Sequence, residues 1–210
     1  MSNFLSKDGD DWYVRNKYKL SEEIDLIDDQ LIAIFSQYIS SDSKFLEIGC
    51  GNGNRASKIA REFKCTVSGI DLSPIAISSG SRAYRNINLK QGDANNLPYE
   101  SKSFDFVYLG FFLYLVNRDS YLRVLSEADR MIGDGGYLAI LDFDVPINYS
   151  NTYKPSPSVK SCKMDNSKVF CSSGLYTLVA KSTFQHNGAA LSVDLDERIS
   201  IQIMRKENTF

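Results

Sequence analysis

Three glycines at alternate positions follow a carboxylate in Glu47-Ile48-Gly49-Cys50-Gly51-Asn52-Gly53, and two more carboxylates, Asp71 and Asp93, close later apolar runs. Gly49 and Gly51 lack a Cβ, so backbone there can approach a polar ligand closely and take the angles of a sharp turn. Helical spacing begins at Asn54, and a helix N-terminus offers unpaired N–H groups to an anionic group. These are the parts of a nucleotide-type cofactor site. A dinucleotide turn places glycine at its first, third and sixth positions, whereas the sixth position from Gly49 is Asn54. No Gly-Lys-Ser/Thr follows, so a phosphate-cradling loop of the NTPase kind is unsupported. Asp71 stands roughly 20 positions past the turn, where a βαβ unit brings an acid beside a ribose. A second reading makes Asp71 the cap of the helix that follows, although Ser73 with Pro74 behind it already suits that role. Asp93, in Gly92-Asp93, also fits a plain turn.

The elements that must hold these residues alternate between strand and helix. Phe45–Ile48 is a short apolar run, and Ile59, Ala60 and Phe63 then share one helical face. Cys65–Asp71 reads as a second strand, 74–85 as a helix and 87–91 as a third strand ending before Asp93. Phe104, Phe106 and Val107 begin a fourth strand that runs out at Leu109–Leu115. A helix over 119–132 carries Leu122, Leu125, Ala128 and Ile132 on one side, and Gly133-Asp134-Gly135-Gly136 reads as its stop. Tyr137–Phe143 is apolar enough for a central parallel strand, with Asp142 at its carboxyl end. Residues 176–181 and 198–204 close the chain as two strands, the second alternating Ile199, Ile201 and Ile203. Ahead of the turn, Ile24, Ile27, Leu31, Ile34, Phe35 and Tyr38 give an amphipathic helix over 22–39. Residues 1–20 are polar and aromatic and hold the only tryptophan, Trp12. They read either as a loose arm or as a segment folded over the cofactor mouth.

One domain over residues 1–210 is expected, with 1–43 as an N-terminal arm and helix. Residues 144–175 lack periodicity and are rich in Pro, Ser, Asn and Lys around Tyr149, Tyr153, Met164 and Phe170. A long irregular stretch of this kind is commonly functional, and it reads as an acceptor-side cap, with disorder the competing reading. A formal net charge of −2 gives no electrostatic footprint for nucleic acid. No apolar run reaches membrane-spanning length and the N-terminus lacks a signal-peptide layout, so a cytoplasmic protein is expected. Four cysteines without a C-x-x-C pair, beside one histidine, leave no basis for a metal site.

Glu47-x-Gly49-x-Gly51-x-Gly53, the two downstream acids, Leu97-Pro98 with Phe104-Asp105-x-Val107, and Gly135-Gly136-x-Leu138 together resemble the class I S-adenosylmethionine (SAM) dependent methyltransferases. The resemblance covers roughly residues 45–143 by motif and the rest by element order. It implies an α/β, Rossmann-like three-layer sandwich with a mostly parallel seven-stranded sheet, an antiparallel C-terminal strand and a cap insertion. It implies SAM as cofactor, with Glu47, Gly49, Cys50, Gly51, Asp71, Leu72, Asp93, Ala94, Gly110 and Phe111 around it. Asp71 would hold the ribose and Asp93 the adenine amino group. From the N-terminal arm, Tyr13 would line the pocket and Arg15 would pair with the methionine carboxylate, a surface role for Arg15 being the alternative. Phe111 and Tyr114 are either walls for a sulfonium, whose charge an aromatic face attracts, or plain core. The Asn/Asp-Pro-Pro-Tyr/Phe clamp of enzymes that methylate base amines is missing after the fourth strand. The acceptor is therefore expected to be a small molecule, and a weaker likeness of the opening residues to bacterial surface-sugar enzymes points to a sugar or nucleotide-sugar hydroxyl. Asp142, His186 and Tyr114 are the candidates for a base near that hydroxyl. A SAM-binding domain without transfer activity and an NAD(P)-binding oxidoreductase are the alternatives.

Overall fold

A computed structural model describes residues 6–18, 26–187, 189 and 193–208. Its centre is a seven-stranded sheet built from β1 (Lys44–Ile48), β2 (Thr66–Asp71), β3 (Asn88–Gln91), β4 (Phe104–Gly110), β5 (Ile132–Phe143), β8 (Tyr176–Gln185) and β9 (Arg198–Lys206). The strand order is β3-β2-β1-β4-β5-β9-β8. The first five strands run parallel, and β9 lies antiparallel between β5 and β8. This is the Rossmann-like sheet with one antiparallel strand that the motifs imply. The chain reverses direction across the sheet between β1 and β4, and the carboxyl ends of strands beside such a switch point form a ligand crevice.

Burial explains the helices. In α3 (Asn54–Phe63), Ala56, Ser57, Ile59 and Ala60 face the sheet. In α5 (Arg118–Met131), Val124, Leu125, Ala128 and Met131 do the same on the opposite face. One apolar core joins α2 (Leu26–Phe35) and α3 to Phe45, Phe106 and Tyr108, and the other joins α5 to Leu46, Val107 and Ile140. Helix α4 (Pro74–Ala83) starts as its sequence requires: Ser73 Oγ accepts from the Ala76 amide at 3.0 Å and Pro74 opens the helix. The start of the amphipathic helix expected over 22–39, including Ile24, lies outside the described residues, as does the first part of the N-terminal arm, residues 1–5.

Two segments differ from expectation, and a third takes one of its two readings. Residues 133–136 do not cap a helix; they belong to β5, which begins at Ile132, with Gly135 at a left-handed φ of 74°. Ile132 pairs with Phe104 beside a bulge, and a Cβ on Gly136 would lie 2.8 Å from Asp105 O, so Gly136 serves close strand approach. Residues 144–175 are not irregular throughout. They form the hairpin of β6 (Tyr149–Thr152) and β7 (Lys160–Lys163) and the short helix α6 (Ser167–Ser172). What they bury is largely polar, including Ser161, Lys163, Asn166 and Ser167, so no apolar period marks them. The N-terminal segment is a helix, α1 (Ser6–Asn16), docked on α4: Tyr13 Oη donates to Ser79 Oγ at 2.9 Å and Ser73 Oγ donates to Asp10. No described helix is long and apolar enough to cross a membrane.

Candidate functional site

The turn after β1 holds Gly49, Gly51 and Gly53 at φ of 76°, 56° and 76°, angles that favour glycine. Four of its amides are engaged. Gly49 and Cys50 donate to Ile70 O at 2.8 and 3.1 Å, Gly53 donates to Cys50 O at 2.9 Å, and Gly51 donates to Asp71 Oδ2 at 2.8 Å. At the helix start behind it, where unpaired N–H groups were expected, Asn54 N donates to Asn52 Oδ1 at 3.2 Å and Ser57 N to Gly53 O at 2.8 Å. What the turn presents is bare Cα surface: a Cβ on Gly49 would sit 3.0 Å from the Phe112 ring.

Asp71 ends β2 and accepts twice, from Gly51 N at Oδ2 and from Ser73 N at Oδ1, both at 2.8 Å. Burial pushes its carboxyl above the usual range, while the backbone donors at Ser73 and Gly51 pull it back. Each oxygen keeps lone-pair capacity for a further donor. Glu47 lies buried behind the turn, where burial pushes it up to about 8 despite nearby Arg55. It accepts from the Ala56 backbone, and Glu47 Oε2 has no partner among the described residues. Cys50 is also buried, its thiol pushed up by burial and turned to Gly51 O at 3.6 Å. Asp93 accepts at Oδ1 from both the backbone and side-chain nitrogens of Asn95, at 2.8 and 2.9 Å, the tight turn that Gly92-Asp93 offered as its plainer reading.

A cavity of about 400 Å³ opens at the carboxyl ends of β1, β2 and β4, within the ~300–1,000 Å³ range of small-molecule sites. It brings together Gly49, Gly51, Asp71, Leu72, Asp93 and Ala94. Gly110 and Phe111 reach it from β4 and Tyr13 from α1. Glu47 and Cys50 do not line it. Neither does Arg15, which borders a separate groove of about 50 Å³ beside Tyr153 and Pro155. Trp12, in the segment read as folding over the mouth, faces the cavity, and so do residues missed in the sequence, among them Phe112, Asn117 and Ser120. Asn117 carried a signal, since an Asn just before a helical run is a cap, and its side chain accepts from Ser120 N at 2.8 Å.

None of the three base candidates lines the cavity. Asp142 is buried and accepts from the amides of Phe143 (2.8 Å) and Tyr114 (3.2 Å), and burial pushes it up to about 7. It thus pins the 3-10 turn Leu113–Leu115 that follows β4. Tyr114 packs edge-on against Phe143 at 5.3 Å, and burial pushes its hydroxyl well up. His186, directly after β8, stacks on Phe111 at 5.2 Å, and burial lowers its proton affinity. It is exposed, in the turn that follows β8. Phe111 itself holds φ at 52°, a strained angle for a bulky residue and one that clusters at functional sites. Among the described residues, no group of three or more His, Cys, Asp or Glu is placed to hold a metal ion.

Residues 45–136 match the family model of the methyltransferase domain. Together with the sheet order and the glycine turn, that match supports a class I SAM-dependent methyltransferase. Among curated proteins, demethylmenaquinone methyltransferase of Staphylococcus saprophyticus is 34% identical over 113 residues, covering 51% of this chain and 48% of the relative. The Staphylococcus haemolyticus protein of the same name is 32% identical, over 52% and 47%. The chain thus spans about half the length of the curated relatives it matches. Among solved structures, the 1,6-didemethyltoxoflavin-N1-methyltransferase of Burkholderia thailandensis, bound to its substrate and S-adenosylhomocysteine, superposes with a TM-score of 0.73. That likeness covers 97% of this chain and 87% of the other at 13% identity. A SAM-dependent methyltransferase of Methanosarcina mazei gives 0.66 over 83% and 97% at 18% identity. At such identities these structures bear on the fold.

Proposed function

We propose that this chain transfers a methyl group from SAM to a small-molecule acceptor. The observation that carries the reading is one cavity that gathers Gly49, Gly51, Asp71, Leu72, Asp93 and Ala94, within a matched methyltransferase domain. The residues suit the cofactor: bare glycine surface admits an amino-acid chain, and Asp71 retains acceptor capacity for ribose hydroxyls. Asp93 and the Ala94 backbone stand where the adenine edge would lie. SAM, when bound, supplies a methyl group on a positively charged sulfonium. Phe111 and Phe112 at the end of β4 provide aromatic faces for that charge. The chain's further part is to hold the acceptor in line and keep water out, which can carry much of such a reaction.

Asp142 is proposed as a positioning residue, since both its oxygens are held by backbone donors and neither faces the cavity. The engaged amides of the turn count against a pyrophosphate cradle, and so against the oxidoreductase alternative. For the acceptor, the sugar or nucleotide-sugar hydroxyl expected from the opening residues remains one class. A ring-bearing acceptor is the second reading, favoured by the aromatic surround of Trp12, Phe111 and Phe112 and by relatives whose named substrate is a quinone. Turnover of methyl-labelled SAM over a panel of sugars, nucleotide sugars and quinols or phenols tests both. Label transfer to any of them supports the proposal. SAM binding without transfer across the panel would favour the non-catalytic alternative.

A further inference from the structure

Among the described residues, three that are not glycine hold a positive φ: Lys64, Lys102 and Phe111. Of these, Phe111 alone lines the cavity. A bulky residue keeps such an angle only where its surroundings over-determine it. The Phe111 backbone is held by its amide, which donates to Leu141 O at 2.9 Å. Its ring is held by the imidazole of His186, stacked at 5.2 Å between centroids and 26° between planes. His186 is fixed in turn. Its amide donates to Glu197 O at 3.3 Å, and its ring meets Phe143 edge to face at 5.4 Å. His186 does not line the cavity, so it acts there through Phe111.

We propose that His186 is a positioning residue that holds the Phe111 ring as the cavity wall for the SAM sulfonium, and that protonating His186 weakens this wall. An aromatic ring attracts a cation through its quadrupole. A neutral imidazole stacked on the ring leaves that attraction to the cofactor. An imidazolium in the same place uses it and repels a second positive charge. His186 is exposed, so its ring follows the pH of the solution. Charged and titratable groups stand around it: Glu197 from its own loop, Lys163 with Nζ 4.0 Å from the Phe143 ring centre, and Asp142 and Tyr114 next to Phe143. Burial against the rings lowers its proton affinity below the ordinary 6.5, Glu197 raises it and Lys163 lowers it further. The ring is therefore neutral near pH 7 and gains its proton on acidification. The sulfonium rests on the methyltransferase reading; the hold of His186 on Phe111 does not.

S-adenosylhomocysteine has the nucleoside and amino-acid parts of SAM without the positive sulfur, so the ratio of the two affinities isolates the wall. Calorimetry between about pH 5 and 7 gives that ratio for three proteins. They are wild type, His186→Phe, which keeps a stacking ring that takes no proton, and His186→Ala, which removes the ring. Titration of the ligands, of Asp142 and of Glu197 is common to all three. As pH falls, preference for SAM in wild type should drop about threefold to tenfold relative to His186→Phe, and His186→Ala should lower it by a similar factor already near neutral pH. Parallel pH courses in wild type and His186→Phe, or an unchanged ratio in His186→Ala, would overturn the proposal. If His186→Ala binds neither ligand, the comparison of wild type with His186→Phe decides alone. Wild type binding neither ligand would count against the methyltransferase reading, and the sulfonium role would fall with it.

Discussion

Asp71 Oδ2 and the Gly51 amide nitrogen lie 2.8 Å apart, so the carboxylate at the end of β2 holds the turn at the end of β1. Its other oxygen holds the start of α4 through Ser73 N. One side chain thereby fixes both walls of the crevice in which it would also meet a ribose. The turn is stiff for this reason, and its glycines act by what they leave out.

Gly49→Ala should therefore be costly twice. An L-residue in the left-handed region costs roughly 1–2 kcal/mol, and the new Cβ would meet the Phe112 ring at 3.0 Å. Thermal unfolding should show a Tm lowered by about 2–8 °C, and SAM titration should show weakened binding. An unchanged Tm would contradict this account of the turn.

Asp28 of α2 is a structural counterion. It accepts Arg55 Nε at 2.6 Å and Lys58 Nζ at 2.7 Å, and these cations hold its carboxyl below the usual range against the opposing effect of burial. Removing one partner of a buried pair leaves uncompensated charge, at about 3–5 kcal/mol. Urea unfolding of Asp28→Ala should show a loss of that order. A loss below about 1 kcal/mol would place the pair among surface bridges.

Asp142 gives a pH signature of the opposite sense. Its folded value is about 7 against an ordinary 3.8. Between those values the folded protein keeps a proton that the unfolded chain has released, so stability falls as pH rises through the window and levels off above it. Asp142→Asn removes this dependence. Its unfolding free energy relative to wild type should climb by about 1.4 kcal/mol per pH unit from about pH 4 to 7. A difference constant with pH in urea titrations would refute the assignment.

The sheet and the cavity wall at the ends of β1 and β2 were legible in the chain because strand burial and glycine turns leave local patterns. Phe45–Ile48, Cys65–Asp71 and Tyr137–Phe143 are apolar runs, and Gly49, Gly51, Asp71 and Asp93 mark where they end. The 144–175 segment was not legible, because its hairpin pairs Tyr149 with Lys163 and Thr152 with Lys160 and buries polar groups. That Asp142 does not line the cavity was not legible for a related reason. Its position at a strand end is visible in sequence, but its two backbone donors come from a turn nearly 30 residues away and from its own neighbour. Trp12 as a cavity wall depends on how α1 docks on α4, which no local pattern encodes.

Calorimetric titration of SAM into wild type and Asp71→Asn tests the central claim most directly. The account predicts one site of micromolar affinity in wild type, weakened about 10-fold to 100-fold when a charged acceptor of hydrogen bonds is lost. No binding to wild type, or equal binding to both proteins, would contradict it.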